Sequence, residues 1–311
     1  MSQSFQPTLL HNRSIIRATG KDAGKLLQGL LTCNMEHLGK PGDVVYGFLL
    51  TPQGRFLHEM LVVKTEDGFL LDTYNGNNCA GPKSESADER AVSSQSGASC
   101  ARQQSSTEAT NNLLKRFKIY TLKSDAAFTI DTELATLACT QKPADASQHI
   151  TITDPRHGEL GYRIYGELAA LEALTDNSNS TPSYNEHRIA LGIPLAEDFV
   201  PEKTLLLDYD MDALHGVDFE KGCYVGQEVT ARMHYRGIDK KGIYCIHQAD
   251  GELTAHTPIT TDDTEAGQVL SVAGARGIAM VRHEHIDAAL TAAGKKITLS
   301  RPAWINVKAP S

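Results

Sequence analysis

The sequence predicts an α+β protein that ends in a small all-β domain, and three observations carry that reading. Three strand-like runs, VVYGFLL (44–50), RFLHEMLVV (55–63) and GFLLDTY (68–74), are separated only by the short turns TPQG and KTEDG. Such spacing suits an antiparallel meander and leaves no room for a crossover helix. Helical periodicity instead appears in separate places, around 20–42, 185–191 and 224–235. From residue 242 onward only short strands with Gly-rich turns remain, among them GQVLSVAG, GIAMVRHE and KKITLSRPAWI, a pattern that reads as a small barrel or sandwich. At 311 residues the chain is too long for one compact core. The charged turn IDKK at 238–241 is the expected boundary, giving an α+β region over 1–240 and a β-barrel domain over 241–311.

Taken in order, the first helix opens at Asp22, a candidate cap, and Ala23, Leu26, Leu27, Leu30 and Leu31 repeat on one buried face until Pro41-Gly42. The meander follows. Residues 76–112 are rich in Ser, Gln, Asn and Ala and carry a single large apolar residue, Val92; they cannot bury enough surface to offset ordering entropy and are expected to form a disordered insertion. Order returns with LLKRFKIY at 113–120, then strands near 127–131, 134–139 and 149–153. GYRIYGEL leads into an Ala/Leu-rich helix at 168–174. Ser183-x-x-Glu186 is a capping box that opens a helix stopped by Gly192 and Pro194. YVGQEVTARMHY at 224–235 reads as a helix with Val225, Val229 and Met233 on one face, ended by Gly237.

Composition narrows the function. Lys plus Arg total 30 against 38 Asp plus Glu, a net charge of −8, which disfavours non-specific nucleic-acid binding. No apolar run reaches membrane-spanning length. The first twenty residues lack the layout of a secretory signal or an Arg/Ser-rich leader, so a cytoplasmic location is expected. The six cysteines, Cys33, Cys79, Cys100, Cys139, Cys223 and Cys245, include no C-x-x-C pair, which removes the local zinc and iron–sulfur signatures and predicts reduced thiols. Walker, dinucleotide-binding and serine-hydrolase motifs are absent.

The densest constellation is Lys221-Gly222-Cys223-Tyr224-Val225-Gly226-Gln227-Glu228. Cys223 stands one residue before the predicted helix, where backbone N–H groups, the positive helix end and the Lys221 cation would all favour a thiolate, and the two glycines permit close approach. A cysteine that merely packs a helix start is the competing reading, because free Cys is among the most buried residue types. His58 and Glu59 are adjacent on a strand, so they face opposite sides, one of them toward solvent. His283 and His285 share a strand face without a third ligand. Cys245 reads as half-buried strand packing and Cys33 as structural.

The run from Phe219 to Glu228, with Ala231-Arg232 and Arg236-Gly237, resembles the signature of the YgfZ-type folate-binding proteins, relatives of the glycine-cleavage T-protein that include a mitochondrial iron–sulfur assembly factor. LLQGLLTCNMEHL, YGFLLTPQGRFLHEMLVV, DPRHGELGYRIY and RIALGIPLAEDFVPE are similar as well. The resemblance covers nearly the whole chain except 76–112, where the family has a short helical connection. It implies a T-protein-like three-lobed folate-binding fold, with a central channel for tetrahydrofolate or a one-carbon derivative and a small C-terminal β-barrel lobe. It also implies folate-binding roles for Glu159 on the pterin and for Tyr184 and Arg188 one helical turn apart. T-proteins carry an acidic pair where this chain has His58-Glu59, and they lack the KGCYxGQE thiol; both differences point away from glycine cleavage. The implied function is a tetrahydrofolate-binding accessory protein for assembly or repair of iron–sulfur clusters in client enzymes, such as tRNA-modifying ones, acting through Cys223. The alternatives are a folate-dependent aminomethyl or one-carbon transferase, and a scaffold that no longer binds folate. The implied partners are folate and iron–sulfur client or assembly proteins, with no nucleic acid, membrane or resident metal.

Overall fold

The computed structural model describes residues 4–76, 108–142, 149–175, 183–237, 240–262 and 264–305. Strands β2 (Arg13–Thr19), β3 (Val44–Leu50), β4 (Phe56–Lys64), β5 (Gly68–Tyr74) and β6 (Ala127–Asp131) form one sheet in the order β3-β4-β5-β2-β6. Strands β1 (Thr8–Leu9), β7 (Leu134–Cys139), β8 (Ile150–Thr153) and β9 (Tyr162–Glu167) form a second, ordered β1-β7-β9-β8. The chain therefore enters the second sheet before the first, which interleaves the two lobes from the N-terminus. Strands β10 (Lys241–Gln248), β11 (Pro258–Thr261), β12 (Thr264–Ala273), β13 (Arg276–Arg282), β14 (Thr291–Ala292) and β15 (Lys295–Ser300) close into a barrel. The expected meander is present, with Phe48 opposite Glu59 and Leu61 opposite Asp72 in antiparallel register.

Alternation along the first sheet divides its apolar residues between two cores. Ile16, Leu49, Met60, Val62 and Leu71 face α1 (Ala23–Leu30) and α2 (Glu108–Thr121), meeting Leu27, Leu30, Leu113 and Phe117. Ile15, Phe48, Leu50, Leu61, Val63 and Leu70 face inward and join Ile152, Leu160 and Tyr165 of the second lobe. Burial on both faces explains why β4 reads as an almost continuous apolar run. Helix α3 (Leu168–Glu172) covers the second sheet through Leu171. Helix α4 (Tyr184–Leu191) carries the predicted capping box and ends at Gly192 in the left-handed region. It docks on the barrel: Trp304 Nε1 donates to Leu191 O at 2.8 Å, and a Cβ on Gly192 would meet Cys245 Sγ at 2.7 Å.

Several local expectations need correction. Asp22 does not cap α1 with its side chain; its carboxylate accepts from Asp125 N at 2.8 Å and ties the chain before β6 to the start of α1. Helix α2 begins at Glu108 and buries Thr110, so residues 108–112 are helical rather than part of a disordered insertion. Gly76, at the other end of that stretch, lies against Ala109; residues 77–107, with Cys79 and Cys100, are outside the described residues. The final helix of the α+β region, α5 (Gln227–Arg236), starts later than the periodicity suggests, and Val225, Val229 and Met233 are only half-buried. His283 and His285 sit in a short 3-10 turn after β13, not on a strand face.

Candidate functional site

The Cys223 loop is assembled against the C-terminal end of α1. Asp218 Oδ1 accepts from the backbone N–H groups of Glu220 and Lys221 at 2.8 and 2.9 Å, forming an Asx-type turn. Asp218 N donates to Thr32 O at 2.9 Å, and Thr32 Oγ1 donates to Gly216 O at 2.6 Å. On the helix side, Phe219 stacks on His234 of α5 with centroids 3.7 Å apart. Gly226 has φ +85°, and a Cβ there would lie 2.5 Å from Thr51 O and 2.9 Å from Leu50 Cβ, so only glycine lets the loop close on the β3–β4 turn. Gly222 has open space around it.

Within this frame Cys223 is exposed, while Tyr224 is buried. Exposure removes the reading of Cys223 as a packing residue. The helix end and the Lys221 cation are placed differently from the expectation. Gly226 stands at the N-cap of α5, so Cys223 lies outside the first turn, where a helix dipole acts. Lys221 is 5% exposed and turned into the protein, its Nζ donating to Gln28 O, Leu31 O and Cys33 O at 2.7, 2.5 and 2.6 Å. Burial draws its pKa down, while three carbonyl acceptors favour the protonated form. Gln227 begins the helix, and exposed Glu228 pairs with Arg232 one turn on at 2.5 Å. The cysteines expected to be structural behave so: Cys33 is buried, its thiol pushed up to about 12 by burial, and Cys245 is half-buried on β10.

The structure places the three folate candidates on or against α4, with Tyr184 and Arg188 one turn apart on the helix and the Glu159 carbonyl bonded to its His187. Glu159 is exposed in a 3-10 turn whose carbonyl accepts from His187 Nε2 at 2.7 Å. Tyr184 is 5% exposed, and its hydroxyl accepts from Arg156 Nη2 at 2.7 Å. Arg188 is fully buried, bonded to Glu197 and Ser271 at 2.9 Å each, with Asn185 at 2.8 Å. Tyr184 and Arg188 therefore have their polar atoms committed to the packing between lobes.

What sequence reading missed is a buried chain of alternating charges between the two sheets. Arg13 joins Glu59 to Asp72, with Nε 2.6 Å from Asp72 Oδ1. Arg163 joins Asp72 to Asp154, at 2.6 and 3.0 Å. Arg156 closes the chain on Asp154 at 2.6 Å and reaches the Tyr184 hydroxyl. Tyr165 donates to Asp72 Oδ2 at 3.0 Å. Burial raises the carboxyl pKa values of Asp72 and Asp154, but the flanking guanidiniums outweigh it and hold both below the usual carboxylate range. The available signal was a buried charge inside each of three strands rich in apolar residues: Glu59, Asp72 and Arg163.

A cavity of about 770 Å³ opens between β4, β5, α2 and the segment after α4, lined by Phe56, Phe199 and Tyr74 and by His58, Glu59, Asn112, Lys115, Arg116 and Glu197. His58 is half-buried, its pKa drawn down to about 4 by burial and by the Arg116 charge. Glu59 is buried rather than solvated, and its Oε2 has no hydrogen-bond partner. Arg188 touches the cavity only through Glu197. Among the described residues, no group of three His, Cys, Asp or Glu could hold a metal, and no helix is long and apolar enough to cross a membrane.

The two interleaved sheets and the closed barrel define a T-protein-like fold: the crystal structure of the glycine cleavage system aminomethyltransferase T from Bartonella henselae superposes with a TM-score of 0.70 over 96% of this chain and 86% of that one, at 15% identity. Residues 240–307 match the family described as CAF17, C-terminal beta-barrel domain. The chain is 30% identical, over 78% of its length, to the iron-sulfur cluster assembly factor IBA57 homolog, mitochondrial, of Mycosarcoma maydis. It is 26% identical, over 95% of its length and 84% of the relative's, to the human mitochondrial factor of that name. The chain spans little more than half of the M. maydis protein, 57% of its length. These relatives are named as mitochondrial proteins, which overturns the expectation of a cytoplasmic location drawn from the N-terminal residues.

Proposed function

We propose that this chain is an accessory factor for the assembly or repair of iron–sulfur clusters, that it binds tetrahydrofolate or a one-carbon derivative, and that it acts on client or assembly proteins through the Cys223 thiol. The observation that carries the reading is an exposed thiol on a firmly seated loop, in a chain whose relatives are named assembly factors. A thiol so presented is accessible to a partner protein, and sulfur is the soft ligand type that iron–sulfur chemistry uses.

The cavity suits a folate. Its volume falls within the usual range for small-molecule sites. Tyr74 offers partly exposed aromatic surface to a planar ring, the unpartnered Glu59 Oε2 can accept from an N–H edge, and Lys115 and Arg116 can meet the carboxylates of a glutamate tail. A bound folate would supply a one-carbon carrier. Tyr184 and Arg188 support such a site indirectly, Arg188 by holding Glu197. The transferase alternative is weaker, because Glu59, the one acid left in the hairpin, has its charge engaged by Arg13.

The test is complementation of a strain lacking the gene. Cys223→Ser should fail to restore cluster-dependent enzymes, the tRNA-modifying class included; full restoration would overturn the thiol's role. Titration of the purified chain with tetrahydrofolate should saturate, and Glu59→Gln should weaken binding by about 1–3 kcal/mol. No binding would leave the scaffold reading.

A further inference from the structure

We propose that Lys221 is a positioning residue, which seats the Cys223 loop on the carboxyl end of α1 by converging three N–H donors on three backbone carbonyls. Helix α1 has no basic residue in its own last turn, although a helix C-terminus leaves carbonyls without partners and favours a cation. Leu27 O is taken by Leu31 N at 2.9 Å. The next two carbonyls are taken by the Cys223 segment: Gln28 O by Lys221 Nζ at 2.7 Å and Gly29 O by Val225 N at 3.2 Å. An ammonium has three donors, and the remaining two go to Leu31 O and Cys33 O at 2.5 and 2.6 Å. The ring of Tyr224 lies 5.1 Å from the same nitrogen.

The donor set of Lys221 is thus fully used, and none of it is left for a neighbouring sulfur. Two residues along, Cys223 is exposed beside a glycine with open space around it. One loop therefore carries an inward anchor and an outward thiol, and the lysine acts on the thiol by fixing where it stands. Arginine cannot replace it, because a planar fork spreads its donors over three nitrogens and cannot aim three from one atom.

The functional weight of this placement rests on Cys223 being the working thiol; the placement itself does not. The test compares Lys221→Met and Lys221→Arg in the full chain by native-state hydrogen exchange of residues 222–226, by the pH profile of Cys223 alkylation with iodoacetamide, and by thermal melting. Both variants should exchange these amides about tenfold faster or more, with the β10–β15 strands unaffected and the midpoint of the alkylation profile unmoved. A Met variant with normal protection and a midpoint raised by about a pH unit would make Lys221 an electrostatic activator and overturn the proposal. So would wild-type protection in the Arg variant, or loss of protection spread evenly over the chain. A measurement on the unaltered chain covers variants that do not fold: the Lys221 ammonium should give a slowly exchanging 15N-correlated proton signal, and a fast-exchanging one overturns the proposal. Full complementation by Cys223→Ser would remove the assembly reading while leaving these outcomes intact, and unchanged exchange in both Lys221 variants would do the reverse.

Discussion

The ionic chain between the sheets and the loop around Cys223 both take cations out of water, yet they compensate them differently. Between the sheets, Arg13, Arg163 and Arg156 are matched by Glu59, Asp72 and Asp154, so full charges face full charges. In the loop, Lys221 is matched by neutral carbonyls at a helix end. The first arrangement ties two lobes together and exposes nothing. The second ties a loop to one helix and leaves a thiol outside. Burial of charge is thus a joint in one place and a pedestal in the other, and removing a partner should cost most where the orphaned group carries a full charge.

The sharpest way to break the comparison is Asp72→Ala. It strands the guanidiniums of Arg13 and Arg163 in the interior, and a loss of about 3–5 kcal/mol is expected in chemical denaturation; a loss below about 1 kcal/mol would mean the inter-sheet chain is no joint. Acid should reach the same contacts. Asp72 and Asp154 have folded pKa values held below their unfolded ones by neighbouring arginines. The unfolded chain therefore binds more protons as pH falls, and the stability these groups contribute is fully present above about pH 5 and drains away progressively as pH falls from about 4 through the lowered folded values. Thermal melts against pH should show that fall, and Asp154→Asn should flatten it.

A smaller effect is expected at the loop. Gly226→Ala forces a side chain at φ +85° against Thr51 and Leu50 and should cost about 1–3 kcal/mol; Gly222→Ala, with open space, should stay within about 0.5 kcal/mol. The least effect belongs to Cys223→Ser, within about 0.5 kcal/mol in the same melts because the residue is exposed. A loss above about 1.5 kcal/mol would return Cys223 to the role of a packing residue and erase the contrast.

These two regions also differ in how far they can be read from the chain. The meander, the capping box at Ser183–Glu186 and the strand-rich C-terminus are local patterns, and each stands where its periodicity or turn residues put it. The exposed loop was visible because Lys221 to Glu228 are contiguous. Its inner workings were not: Lys221 is close to Cys223 in sequence, but its partners lie near residue 30. The inter-sheet chain was missed for the same reason, since Arg13, Asp72 and Arg163 come from three distant strands and meet only after both sheets form. Tyr184 and Arg188 show the converse: their local sequence suggests side chains suited to a ligand, while in the fold both are buried with polar atoms bonded inside the protein.

The clip at the end of α1 also has a bearing on biosynthesis. Lys221 is separated from its acceptors Gln28, Leu31 and Cys33 by 193, 190 and 188 positions. At about 5–20 residues per second, a ribosome spends about ten to forty seconds between making the socket and making the plug. Throughout that interval α1 emerges with its last carbonyls open, and the first lobe cannot reach its final form until the segment bearing the thiol arrives. Completion of the N-terminal lobe and presentation of Cys223 thereby become one late event on the nascent chain.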